Sequence, residues 1–515
     1  MTAPHTRNEV YDFLGTPLAY DLPASRKVRR MDTHISAIFL IGDTVYKVKK
    51  AVAFPFLDHT DLATRKAVCL REVELNAPWA PGLYQGVVAV TRDTAGRLEL
   101  GGDGEPVEWV VVMRRFRQDA LFSHIVENER PSRQVVLDLA ELLVRYHDSA
   151  PRVDNREDWA FRTVENSLQS LAPFRMDLGE AACARLEAGL RAALETHRDL
   201  LGRRAAEGFV RRCHGDLHLG NIVMWQDRLR PFDAIDFNDM FSDIDVLYDL
   251  AFLLMDLDER GHRRLASYIL NHTLEYTGDM EGLALLPLFL SLRSTIRAFV
   301  NAATAASLED PAARAEKLRE AEKYLHAAIQ YLLPHPARVV AVGGLSGSGK
   351  SHLARKLAGE LPWGVGAVVV RSDVVRKRLC DVSPYEKLPP EAYTPDMARR
   401  TYEAVLAEGA QALDAGASVV FDSVFSRPDE RAEPEALARQ KGVPFVGIWA
   451  HSDTRTALRR VSTRTHNASD ADAEVRLKQE TYDLGDITWA RVDTSGSRKK
   501  SLQQALHILR GRKTG

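Results

Sequence analysis

Cysteine is scarce in this sequence: four in 515 residues, at 69, 183, 213 and 380, with no CxxC pair or other metal-ligand spacing. That scarcity argues against a disulfide framework or a zinc-type site and fits reduced thiols in a cytoplasmic protein. An excess of charge of either sign is missing too. Lys and Arg number 69 against 71 Asp and Glu, a formal net charge of −2, so no general binder of nucleic acid or anionic membrane is expected. No uninterrupted apolar run reaches the roughly 18 residues of a membrane-spanning helix. The first residues, Met1 to Phe13, lack the basic and apolar regions of a secretory signal. Fixed-period repeats and low-complexity tracts are absent as well. What is present is ordinary globular composition, 45% hydrophobic and 27% charged, with length for roughly two to four domains.

The chain divides by pattern. Up to about residue 333, a short strand-rich stretch gives way to long helical periodicity. Phe39-Leu40-Ile41 and Thr44-Val45-Tyr46-Lys47 flank Gly42-Asp43 as a two-residue hairpin, and Glu108–Met113 reads as another strand. Val136, Leu139, Ala140, Leu143 and Tyr146-His147 fall at helical spacing. Asp243 is a candidate N-cap for further helices, which continue through 288–306 and 312–333. Leu333-Pro334-His335-Pro336 then ends the helical pattern, because each proline forces its predecessor toward extended backbone. From Arg338 onward, short apolar strands (338–342, 367–370, 418–421, 444–449) alternate with helical stretches, the pattern of a parallel sheet covered by helices. The expected domains are therefore 1–333 and 338–515.

The second domain opens on Gly344-Leu345-Ser346-Gly347-Ser348-Gly349-Lys350-Ser351, a full GxxxxGK[ST] between a predicted strand and a predicted helix. Gly344, Gly347 and Gly349 let backbone N–H groups, with those of Ser346 and Ser348, converge on phosphate oxygens at a helix N-terminus. Lys350 is expected at the β- and γ-phosphates of ATP and Ser351 on Mg²⁺. Asp373, after the second strand, can orient or deprotonate an acceptor hydroxyl, with Arg376 holding that substrate. Asp422 ends the strand Val419-Val420-Phe421, where an acid supports Mg²⁺. Arg459, Arg460 and Arg464 lie on a helical stretch suited to a lid over ATP. This half resembles the P-loop small-molecule kinases, the group that includes gluconate kinase, the kinase part of polynucleotide kinase and the zeta toxins. The resemblance implies that Asp373 is the acceptor-activating base.

In the first domain, His214-Gly215-Asp216-Leu217-His218-Leu219-Gly220-Asn221 precedes Ala234-Ile235-Asp236-Phe237. The order is Asp, an Asn five residues later, then Asp-Phe, as in the protein-kinase catalytic apparatus. Asp216 approaches the acceptor hydroxyl, Asn221 turns back to a metal ion, and Asp236 bridges metal to phosphates from an adjoining hairpin, read over 222–225 and 229–235. His218 receives no role. These residues resemble the aminoglycoside phosphotransferase and choline kinase family. The resemblance implies a two-lobed α+β protein-kinase-like domain, small lobe about 30–116 and large lobe about 117–333, followed by the α/β P-loop NTPase domain with its parallel sheet. It also implies Asp216 as catalytic base, Asn221 and Asp236 as metal ligands, and Asp249 as a brace of the catalytic loop. In the small lobe, strand alternation puts Val45 and Lys47 on one face, toward adenine and the α/β-phosphates, but Lys49 shares that face. Glu72 is the favoured helix partner for the lysine, with Glu74 as alternative, and Met113 lies in the segment beside adenine. No GxGxxG precedes the strand; Asp32-Thr33-His34-Ile35-Ser36 stands there.

The expected function is a bifunctional ATP-dependent phosphotransferase acting on hydroxyl groups of small metabolites, of sugar, amino sugar or amino alcohol class. Its expected cofactors are ATP and Mg²⁺, with no nucleic-acid or membrane partner. Two alternatives stand beside it: an active P-loop kinase with an N-terminal pseudokinase, and an ATP-sensing interaction protein.

Overall fold

The computed structural model describes residues 4–54, 57–129, 131–154, 156–463 and 468–511. The chain forms two compact units, Met1–Ala160 with Gly202–Leu250, and Phe161–Leu201 with Ala251–Gly515.

The first unit is built on a six-stranded antiparallel sheet. Its strands are β1 (Arg29–Asp32), β2 (Ser36–Ile41), β3 (Thr44–Lys49), β4 (Tyr84–Arg92), β5 (Leu98–Leu100) and β6 (Glu105–Arg114), in the order β1-β2-β3-β6-β4-β5. The β2–β3 hairpin turns at Gly42-Asp43, as the sequence indicates, with Ile41 opposite Thr44 and Gly42 at φ 55°. Period-two alternation divides the sheet's faces. Val110 joins Ala37, Phe39 and Val48 in one core cluster, while its neighbour Val111 joins Cys69, Tyr84 and Met113 in another. The second cluster is covered by α1 (Leu62–Asn76), whose N-cap Asp61 accepts from Thr64 N and whose buried residues Arg65, Val68, Cys69, Glu72 and Asn76 form one stripe. A second helix, α2 (Arg133–Ser149), buries Val136, Leu139, Ala140, Leu143, Tyr146 and His147, the set its periodicity marks.

Two short strand pairs then carry the catalytic-type motif. Strand β7 (Val210–Arg212) pairs antiparallel with β10 (Asp243–Asp245), and β8 (Ile222–Trp225) with β9 (Arg228–Pro231). Asp243 is therefore not an N-cap. It lies within a strand, its carboxylate gripped by Arg212 at 2.5 Å and Arg156 at 3.1 Å, and the following helix starts only at Val246. The hairpin also ends earlier than its apolar run suggests. Gln226 and Asp227 make its turn at φ 51° and 60°, and β9 stops at Pro231, after which Asp233 takes φ 62° and leaves strand geometry.

In the second unit, α3 (Arg263–Thr277), α4 (Leu286–Ser307) and α5 (Pro311–Tyr331) are followed by an irregular 334–338, where the two prolines fall. Residues Gly282–Ser307 are long and apolar enough to cross a membrane by length and composition, although no uninterrupted apolar run is present. Of the most apolar window, 67% is buried inside the protein, and α4 packs along α5 as a core helix. Beyond 338 comes a five-stranded parallel sheet: β11 (Val339–Gly343), β12 (Val368–Arg371), β13 (Val419–Asp422), β14 (Phe445–His451) and β15 (Ala490–Asp493), in the order β12-β13-β11-β14-β15. Val339–Val342 are fully buried, as a strand covered on both faces requires. The outer strand β15 has no apolar run to announce it. The opposite edge is closed by a side chain: Asn271 on α3 accepts from Val369 N at 2.6 Å and donates to Ala367 O at 3.0 Å, supplying the bonds a further strand would make.

Candidate active sites

In the first unit, a cavity of about 320 Å³ opens against β2, β3 and β6, with Ile38, Val45, Lys47, Met113, Asp216 and Asp236 among its walls. Antiparallel register sets Val45 opposite Met113, giving the cavity an apolar end. The polar end is an ion-pair network. Glu72, fully buried on α1, takes Lys47 Nζ at 2.9 Å on one oxygen and Lys49 Nζ at 2.7 Å on the other. Lys47 also meets Asp233 at 2.5 Å, and Lys49 meets Asp236 at 2.5 Å. Both lysines therefore point into the same cleft, bridged by one glutamate, while Glu74 is exposed. Burial opposes charge on Lys47, but Asp233 and Glu72 outweigh it and hold its ammonium well above the usual lysine range. Burial likewise opposes charge on Glu72, yet the two lysines hold its carboxyl down at about 2. For Asp236 burial prevails and pushes the carboxyl up to about 6 in spite of Lys49.

The catalytic-type loop faces this network. Asn221 donates through Nδ2 to Asp216 Oδ2 at 2.9 Å and to Asp216 O at 3.0 Å, which fixes the aspartate's rotamer. Asp249 braces the loop from beneath: Oδ1 accepts from Gly215 N at 2.8 Å, and Oδ2 from His214 N at 3.3 Å, with His147 Nε2 at 2.9 Å. Two residues in this region received no role from the sequence. His218 Nδ1 accepts from Gly220 N at 3.0 Å, so its proton sits on Nε2, 3.5 Å from Asp216 Oδ2. Asp233 is hidden in the sequence because the run 229–235 reads as one strand, whereas β9 ends at Pro231. The donor set of Asn221 and Asp236 is all-oxygen, with the asparagine NH₂ committed to Asp216 and its carbonyl oxygen available, and so it fits a hard divalent cation.

In the second unit, the phosphate-type loop leaves β11 and enters α6 (Lys350–Ala358), with Gly349 as N-cap at φ 84°. Close approach requires glycine at 344 and 347. A Cβ on Gly344 would lie 2.3 Å from Ala450 O, and one on Gly347 2.6 Å from Ala457 O. Ser346 N donates to Gln479 Oε1 at 2.7 Å, so a side-chain oxygen occupies one of the N–H groups expected to face phosphate. Thr494 Oγ1 donates to Ser348 O. Lys350 is buried and Ser351 half-buried at the helix start.

Parallel register aligns Arg371 and Val342 with Asp422 at the carboxyl edge of the sheet. Asp422 Oδ2 accepts from Arg371 Nε at 3.1 Å, whereas Oδ1 is buried without a hydrogen-bond partner among the described residues. That orphaned oxygen, with the Ser351 hydroxyl, fits an all-oxygen cation site. Asp373 sits in the first turn of α7 (Ser372–Leu379), 3.8 Å from Arg376, whose guanidinium lies 5.2 Å from the centre of the Tyr393 ring. Arg460, on α8 (Thr454–Ser462), departs from the lid role. It donates to Thr494 O at 2.6 Å and to Gly347 O at 3.5 Å, bracing the back of the loop. Arg459 is exposed, and Arg464 lies outside the described residues.

A family model described as phosphotransferase enzyme family matches residues 85–286, and one described as AAA domain matches residues 339–482. An uncharacterized protein of Mycobacterium tuberculosis is 29% identical over 494 residues, 93% of this chain and 95% of its own. Among solved structures, a choline/ethanolamine kinase family protein from Mesorhizobium loti aligns at TM-score 0.36 and 15% identity, over 63% of this chain and 98% of its own. A sugar kinase from Janibacter aligns at TM-score 0.27 and 18% identity, over 35% of this chain and 100% of its own. The chain carries a kinase-like α+β N-terminal domain followed by an α/β domain whose parallel five-stranded sheet is that of a P-loop NTPase.

Proposed function

We propose that this protein is a bifunctional ATP-dependent phosphotransferase that phosphorylates hydroxyl groups of small metabolites at two separate sites, each using Mg²⁺. The acceptor class is sugar, amino sugar or amino alcohol, and the protein works in the cytoplasm without nucleic-acid or membrane partners. The observation that carries this reading is duplication. Each site pairs an acid suited to receive the acceptor's proton with buried cations and an all-oxygen donor set. At the first site, Asp216 accepts the hydroxyl proton, Lys47 and Lys49 bind phosphate oxygens, Val45 and Met113 enclose adenine, and Asn221 and Asp236 hold the cation. At the second, the N–H groups of the glycine loop and Lys350 cradle the phosphates, Ser351 and Asp422 hold the cation, Asp373 receives the proton, and Arg376 orients the substrate. The cation at either site supplies neutralisation of charge between the transferred and leaving phosphates.

The test is ATP consumption by wild type, Asp216→Asn and Lys350→Ala against a panel of sugars, amino alcohols and nucleosides. Each variant is expected to abolish a different phosphorylation. A second reading, an N-terminal pseudokinase, is favoured by the pairing of both cleft lysines with Asp233 and Asp236. It replaces the first if Asp216→Asn alters neither product nor ADP release.

A further inference from the structure

We propose that Glu275, which precedes the proline-containing linker, is a positioning residue for the P-loop site, where it holds Arg371 back from full capture of Asp422. This rests on the P-loop reading above. The Glu275 carboxylate is buried on α3. Its Oε1 meets Arg371 Nη1 at 2.9 Å and Arg355 Nη2 at 3.3 Å. Its Oε2 accepts from Tyr385 OH at 3.2 Å and lies 3.2 Å from His272 Nδ1. Burial opposes ionisation, but Arg371 and Arg355 hold the carboxyl well below the usual glutamate range. Arg371, itself 2% exposed, reaches Glu275 through Nη1 and Asp422 through Nε.

One buried guanidinium is thus shared by two carboxylates, one before the linker and one at the sheet's carboxyl edge. Without the charge at 275, Asp422 is the one carboxylate among the described residues left in an ion pair with Arg371. With Nη1 released from Glu275, the guanidinium can swing so that Nη2, which has no hydrogen-bond partner among the described residues, joins Nε in a bidentate fork on both carboxylate oxygens. That fork would consume Asp422 Oδ1, the buried oxygen that has no partner among the described residues. The glycine loop and Lys350 are untouched by this change. The defect therefore falls on the Mg²⁺ dependence of nucleotide binding and leaves metal-free binding alone. A purely structural role would weaken both together.

The experiment uses the full chain and the component of ADP binding that Lys350→Ala removes, titrated by calorimetry in EDTA and across Mg²⁺ concentrations. Glu275→Gln is expected to bind ADP in EDTA within about twofold of wild type, yet to need about tenfold more Mg²⁺ for the metal-dependent gain. Adding Arg371→Met removes the competitor and recovers most of that loss. An unchanged Mg²⁺ requirement in folded Glu275→Gln overturns the role. If the single variant does not fold, the double variant decides: a requirement near wild type supports the role, and one raised about tenfold overturns it. Absence of any Lys350-dependent ADP binding in wild type overturns the P-loop reading and this role with it, whereas normal binding with unaltered Mg²⁺ dependence overturns this role alone.

Discussion

Replacing Glu72 by Gln isolates the charge that organises the first cleft, because the amide keeps the shape and loses the anion. Glu72 is fully buried and is the shared partner of Lys47 and Lys49. Its carboxyl is held at about 2 against an ordinary 4.5. At ~1.4 kcal/mol per pH unit, the ionised form is favoured by about 3 kcal/mol, the net of the lysines' attraction over the burial that opposes it. Breaking a buried pair from one side gives a similar figure, about 3–5 kcal/mol. The sign follows from the depressed pKa. This stability is complete above the unfolded value near 4.5 and is lost only as pH falls toward 2, so it is fully present at pH 7. With about 2 kcal/mol/M for urea unfolding, the midpoint of the first unit should drop by about 1.5 M at pH 7. Glu74→Gln, on the same helix but exposed, should stay within about 0.5 kcal/mol of wild type. A Glu72→Gln midpoint lowered by less than about 0.5 M would mean that Asp233 and Asp236 satisfy both lysines unaided, and the reasoning would fail.

Three further outcomes follow from named geometry. His59 is buried, neither ring nitrogen has a hydrogen-bond partner among the described residues, and burial with Lys49 and Arg65 nearby lowers it to about 4. The unfolded chain takes up that proton first, so about 3 kcal/mol present above pH 6.5 is lost as pH falls toward 4; His59→Leu should flatten this slope in urea titrations. Gly347→Ala puts a Cβ 2.6 Å from Ala457 O at φ 80°, and should abolish Lys350-dependent nucleotide binding while sparing the product that depends on Asp216. Asp249→Ala leaves the N–H groups of His214 and Gly215 without their carboxylate, at about 1–3 kcal/mol each. Lower kcat at the first site, with the second unaffected, is the expected readout.

What the sequence revealed was local in origin. The glycine loop is legible because phosphate-type cradles need glycine where a Cβ would strike backbone, and the Asp216-to-Asn221 spacing because one turn of loop must bring both side chains together. Strand alternation placed Lys47 and Lys49 on one face, and it left the choice between them open for a physical reason: Glu72 bridges both. The misses have non-local causes. Asp243 reads as an N-cap until Arg156 and Arg212, distant in sequence, draw it into a strand. Asp233 reads as strand until its left-handed backbone turns it toward Lys47. Gln479 and Glu275 act on partners 133 and 96 residues away. Nothing adjacent to them in sequence marks either role.

The two sites reach a common electrostatic solution from unrelated folds. In the antiparallel unit, Lys49 stands between Glu72 and Asp236; in the parallel one, Arg371 stands between Glu275 and Asp422. A buried acid with no cation nearby takes up a proton, and one that monopolises a cation has little charge left for a metal. Sharing the cation with a helix-borne glutamate avoids both extremes. The balance is not identical. Asp236 is buried and for that reason rises to about 6, whereas Asp422 retains an oxygen with no hydrogen-bond partner among the described residues. On the proposed reading, turnover at the first site should therefore fall as pH drops through about 6, in a limb that Asp422 variants leave unchanged. The motif recurs on an antiparallel and on a parallel sheet, so strand geometry does not account for it; on the proposed reading it is what binding phosphate and a cation together asks of a buried carboxylate, and each fold supplies the helix that carries the glutamate.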